Sequence, residues 1–119
     1  MLLISDAQMA ALVEPVQRTM ALRIAQAAIL HWPQCLARTP VEQVQDRVLA
    51  SMDEARTWGL GSEEHFMRFF NLQLALGDDF HRQPDGEWAR RVLQDRRLTL
   101  DSRLDLLTSG AEQRLRNKA

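Results

Sequence analysis

Between Ser62 and Gly77 the chain places Phe66, Met67, Phe69, Phe70, Leu72, Leu74, Ala75 and Leu76. On a helical period these residues cover nearly the whole circumference. A helix apolar on every side is stable only when other elements cover it, so this segment dictates a central helix over about 62–76 with neighbours packed around it. Its ends are marked in the same stretch. Ser62 is a helix N-cap, Glu63 and Glu64 suit the positive N-terminal end, and Gly77 stops the helix.

The apolar spacing elsewhere is also helical, with no strand-like alternation or β-branched cluster. Ser5 and Gln8 form a capping box, with Ile4 and Met9 as its hydrophobic staple. They open a first helix running to about His31, whose buried stripe reads Met9, Leu12, Val13, Val16, Met20, Ile24, Ala27 and Ala28, widened by Leu22, Ala25 and Ile29. Pro15 removes a backbone donor inside it, which predicts a kink or break near residues 11–15. Trp32-Pro33 ends the helix. Thr39 as N-cap, Pro40 at the first helical position and Glu42 start the next, which buries Val41, Val44, Val48, Met52 and Ala55 and ends at Trp58 before Gly59-Leu60-Gly61.

Beyond the central helix, Gly77–Asp85 reads as a loop of turn formers with Phe80 as its apolar anchor, closed by Pro84-Asp85-Gly86. A short helix follows over about Glu87–Gln94, burying Trp88, Ala89, Val92 and Leu93. A last helix starts near Thr99 with Leu100, Leu104, Leu107, Ala111 and Leu115 on one side. No repeat, linker or low-complexity tract separates these elements. The expected fold is all-α, a single-domain bundle over residues 1–119 with about five helices around the central one.

The chain's 119 residues, 45% apolar and 26% charged, are those of an ordinary globular domain. A single cysteine, Cys35, excludes an intrachain disulfide framework, a zinc ribbon and a Cys-X-X-Cys redox site. Apolar runs are far shorter than a membrane span, and the opening Met1-Leu2-Leu3-Ile4 lacks the parts of a signal peptide. A cytoplasmic protein without a membrane partner is expected.

Candidate chemistry is sparse. His31, His65 and His81 form no i, i+4 pair and no His-Glu-X-X-His motif. Asp78, Asp79, His81 and Asp85 share one loop, but the twelfth position from Asp78 is Ala89 where a calcium loop needs Glu. His65, third in a capped helix, reads as structural. Neither a Gly-X-Ser-X-Gly elbow nor a phosphate-binding glycine loop is present, and Cys35 lacks a demonstrable base. The carboxylate pairs Asp53-Glu54 and Glu63-Glu64 sit on helix surfaces, not in the unlike environments acid–base catalysis needs. These readings give a non-enzymatic protein with no catalytic residue, metal or cofactor.

Net charge is −1 but unevenly spread. Residues 1–81 hold 6 Arg against 10 acids, whereas residues 82–119 hold 8 Arg and Lys118 against 6 acids. Arg90-Arg91, Arg96-Arg97, Arg114 and Arg116 are what a nucleic-acid footprint would use, yet Asp95, Asp101, Asp105 and Glu112 interleave with them as on a solvated helical face. Nor does the turn before the central helix make a DNA-reading helix-turn-helix, since Glu63-Glu64 would meet phosphates with like charge. Binding to another protein remains. Leu2, Leu3, Trp32 and Phe80 are the candidate contacts, being large apolar groups ahead of the first cap, at a helix end and in a loop.

The stretch Gly59-Leu60-Gly61-Ser62-Glu63, then Phe66 and Phe69, Leu74-Ala75-Leu76-Gly77-Asp78-Asp79-Phe80, Pro84, Trp88-Ala89 and Leu93 resembles small helical proteins encoded beside type VI secretion spike, tip and effector genes in Gram-negative bacteria. The opening, Leu3 to Met9, is similar to theirs in its short apolar lead. Two departures stand out: His81 replaces the usual aspartate after the loop Phe, and Gly86 interrupts the approach to Trp88. The resemblance implies an adaptor or chaperone-like accessory protein whose partner is an effector or spike component. The alternatives are a small regulator or nucleic-acid binder using the Arg-rich last third, and an immunity protein.

Overall fold

Among the described residues of the computed structural model, 6–117 with side chains from 14 onward, seven stretches wind into helix and no strand occurs. The α-helices are α1 (Asp6–His31), α2 (Pro33–Leu36), α3 (Val41–Thr57), α4 (Glu63–Leu76), α5 (Glu87–Gln94) and α6 (Leu100–Asn117); Pro84–Gly86 is a turn of 3-10 helix. The fold is therefore all-α, as the spacing predicts. The additional helix is α2, where Pro33 at the first position, with its fixed φ, starts a single turn closed by Ala37 N–H donating to Pro33 O at 2.9 Å. By contacts the chain divides within α3 into two compact units, Met1–Ala50 and Ser51–Ala119.

In the first unit, α1 runs through Pro15 without a break. Its buried residues among those described are Ala21, Ile24, Ala25 and Ala28, while Val16 is 63% exposed and leaves the stripe expected for it. Small residues at i, i+4 and i+7 around Ile24 put the centre of the core about 130° around the helix from Val16. Leu36 of α2 is buried, as are Val44 and Val48 of α3, and Gln45 Nε2 donates to Arg18 O at 2.8 Å. The capping box at Ser5 and the positions Met9, Leu12 and Val13 lie outside the residues whose side chains are described.

In the second unit the ends follow the sequence closely. α3 finishes with Gly59 at φ 88°, its N–H donating to Arg56 O at 3.0 Å and that of Leu60 to Ala55 O at 3.2 Å. These are the two bonds of a Schellman cap, and Leu60 is buried beside it. Ser62 Oγ accepts from His65 N–H at 3.1 Å to start α4, and Gly77 at φ 107° ends it. Thr99 Oγ1 caps α6 by accepting from Ser102 N–H at 3.1 Å.

The core of this unit is Phe66, Phe69, Phe70 and Leu72 of α4 with Met52, Ala55, Leu60, Ala89, Leu93, Leu104, Leu107 and Ala111. Met67, Leu74, Ala75 and Leu76 are half-buried, so α4 is covered on one broad side and not all round. On α6 the stripe stops at Ala111, since Leu115 is 44% exposed. α4 and α6 lie side by side in the same direction, with His65 Nε2 2.8 Å from Asp101 Oδ1 and Arg68 donating to Asp105 at 2.7 Å. Both aspartates are largely exposed, so these pairs set register more than stability. Phe69→Ala removes a fully buried ring and is expected to cost about 3–5 kcal/mol in urea unfolding. An unchanged midpoint would contradict α4's place in the core.

Candidate functional site

The loop between α4 and α5 is held by two consecutive buried side chains. Phe80, 4% exposed, packs its ring 5.9 Å from that of Phe69. His81, 1% exposed, lies edge-on to Trp58 at 5.5 Å and to Phe80 at 5.2 Å. Its Nε2 is 2.8 Å from Glu54 Oε1 on α3. A carboxylate only accepts, so Nε2 carries the hydrogen. Arg82 donates to the same oxygen at 2.7 Å and to Asp79 at 3.0 Å, and Arg90 reaches His81 O at 3.4 Å. Burial raises the proton affinity of Glu54, but the hydrogen bonds and charges of Arg82 and His81 outweigh it and hold the carboxyl below its ordinary 4.5. The same bonds raise the pKa of Arg82.

This arrangement corrects two expectations. Phe80, a candidate partner contact, is withdrawn into the core, because the turn Gly77–Arg82 aims successive side chains at the aromatic face of α4. The carboxylate Glu54 is not a simple surface group but the half-buried acceptor of a histidine and an arginine. The oxygen-rich loop does not converge either: Asp79 pairs with Arg82, His81 turns inward and Asp85 lines a separate cleft. Of the other candidate contacts, Trp32 is half-buried at the end of α1, while Leu2 and Leu3 lie outside the described residues.

Beside the loop, a cleft of about 270 Å³ is lined by Leu76, Phe80, Gln83, Asp85, Gly86, Trp88, Arg114 and Asn117. Two glycines shape its walls. A Cβ at Gly86 would fall 1.6 Å from Phe80 O, and one at Gly110 would fall 2.4 Å from the Trp88 ring. The chain can therefore pass close to Phe80, and Trp88 can lie flat on α6 with the Arg114 guanidinium 3.8 Å above its ring.

Three further basic residues are engaged locally. Arg91 pairs with Glu87 at 2.9 Å, Arg97 makes a two-pronged contact with Asp95, and Arg103 donates to Asp95 O at 2.9 Å. These contacts make the Arg-rich third a mixed-charge helical surface. Sequence reasoning missed two exposed apolar groups of α1, Val16 at 63% and Leu30 at 84%. Their separation of 14 residues returns them to nearly the same face, about 150° from Ala21, Ile24, Ala25 and Ala28. That phase was the available signal. Comparison with protein-family models, curated proteins and solved structures gives no match.

The lowered pKa of Glu54 makes its contribution pH-dependent. The folded state binds this proton less readily than the unfolded chain, so the contribution is full above 4.5 and is lost as pH falls below it. Thermal unfolding of the wild type and Glu54→Gln is expected to show a wild-type advantage at pH 7 that shrinks as pH falls from 4.5 toward 3. A constant difference across that range would show that Glu54 is not held ionised by these partners.

Proposed function

We propose that this chain is a non-enzymatic, protein-binding accessory protein, an adaptor or chaperone-like partner for a type VI secretion effector or spike protein. The observation that carries the reading is the outer face of α1, where Val16 and Leu30 stand exposed with Met20 and Ala27 half-buried between them. A helix with apolar groups on two opposite faces buries one in its own core and offers the other. Covering exposed apolar side chains with a partner is favourable because it removes apolar surface from water.

The resemblance of Gly59–Leu93 to proteins encoded beside secretion genes supplies the class of partner. No helix of the described residues is long and apolar enough to cross a membrane, which agrees with a role away from the bilayer.

Tagged protein recovered from its native host should bring an effector, spike or tip protein at near-stoichiometric yield. Leu30→Glu should abolish that recovery while leaving the thermal midpoint within the small range of surface substitutions, about 0.5 kcal/mol. Undiminished recovery with the Glu variant would remove the α1 face from the interface. Recovery of nucleic acid in place of a secretion component would overturn the protein-binding reading.

A further inference from the structure

The cleft beside the α4–α5 loop has a composition that the α1 interface does not explain. Its lining mixes apolar Leu76, Phe80 and Trp88 with Arg114, the carboxylate Asp85 and the amides of Gln83 and Asn117. Arg114 is held in a fixed pose. Its guanidinium lies 3.8 Å over the Trp88 ring, and Nη1 donates to Gly110 O at 3.2 Å. Among the described residues no carboxylate pairs with it, whereas Arg82, Arg91 and Arg97 each find one nearby. Stacking leaves the guanidinium edge, with its remaining parallel N–H groups, free to meet a planar anion. The pose is also built in by the backbone: Gly110 is the only residue type that lets Trp88 lie where it supports Arg114, and Gly86 does the same for the Phe80 side of the cleft.

From this we infer that the cleft is a carboxylate-binding site, in which Arg114 grips the carboxylate of a ligand whose apolar body rests on Trp88, Leu76 and Phe80. At about 270 Å³ the cleft is at or below the small end of ligand sites, which limits the body to roughly one apolar residue. The chemistry is that of an apolar amino acid bearing a free carboxylate, whether as the last residue of a peptide or as the free amino acid. Asp85, on the same cleft, distinguishes the two, because only the free amino acid brings an ammonium group for it. The site belongs wholly to the second unit and does not depend on the partner proposed for α1.

The test is a titration of the full chain, followed by amide and indole NMR shifts, with N-acetyl-L-leucine, its amide N-acetyl-L-leucinamide, and L-leucine. The expected result is saturable shifts at Trp88 and in α6 with N-acetyl-L-leucine, in the millimolar range, and none with the amide. Arg114→Gln should weaken binding about tenfold or more, the scale of one charge-assisted hydrogen-bond pair. Arg114→Lys, which keeps the charge but not the fork, should recover only part of it. Should removal of the stacked guanidinium unsettle the fold, Gln83→Ala and Asn117→Ala provide weaker but separate losses at the cleft edge. Tighter binding of L-leucine than of its N-acetyl form, lost in Asp85→Asn, keeps the carboxylate site and assigns it to the free amino acid. Equal shifts with acid and amide, or none with any of the three, would overturn the inference.

Discussion

The second unit depends on the hydrogen bond between His81 and Glu54. It is 2.8 Å long, joins residues 27 apart in sequence, and has its histidine sealed from solvent by Trp58, Phe69 and Phe80. Buried polar pairs contribute little net stability against a well-packed apolar alternative, but they are costly to leave half-made. Such a bond therefore selects one position for the loop more than it deepens the fold. With His81 fixed, Phe80 is carried onto Phe69, Gly86 can pass within reach of Phe80 O, and α5 starts where Trp88 meets α6. The cleft wall is a consequence of that chain of placements.

The helices and their ends were legible in the residues because local chemistry sets them. Ser62, Gly59, Gly77 and Thr99 each perform the capping role their type predicts, and α5 occupies the expected span. What spacing could not supply was which neighbour covers which face. Val16 is exposed because it lies off the phase of the buried Ala21, Ile24, Ala25 and Ala28, and Leu115 is exposed because the packed stretch of α6 ends at Ala111. His81 was illegible for a related reason. In a loop with Asp78, Asp79 and Asp85 a histidine reads as one more polar turn residue, and its acceptor lies on a helix 27 residues earlier. The absence of a regular spacing between them left no pattern to find.

Many of the residues on which the proposed likeness to secretion-associated proteins rests occupy scaffold positions here. Gly77 takes the left-handed backbone at the end of α4, Phe66, Phe69 and Phe80 form the aromatic core, and Ala89 and Leu93 face inward from α5. The two departures also have a physical setting. His81 finds Glu54, and Gly86 fits where any side chain would strike Phe80 O. The pattern thus describes how this unit is built; of the proposed binding surfaces, the outer face of α1 and Arg114 lie outside it, whereas Leu76, Phe80 and Trp88 of the cleft lie within it.

The central claim is that the His81–Glu54 contact positions the loop, and a double-mutant cycle tests it most directly. Unfolding free energies of the wild type, Glu54→Gln, His81→Asn and the double variant at pH 7 should reveal a coupling of about 1–3 kcal/mol, as for residues in one buried network. Additive single effects, within about 0.5 kcal/mol, would show that the two side chains stabilise the fold independently and that their contact does not position the loop.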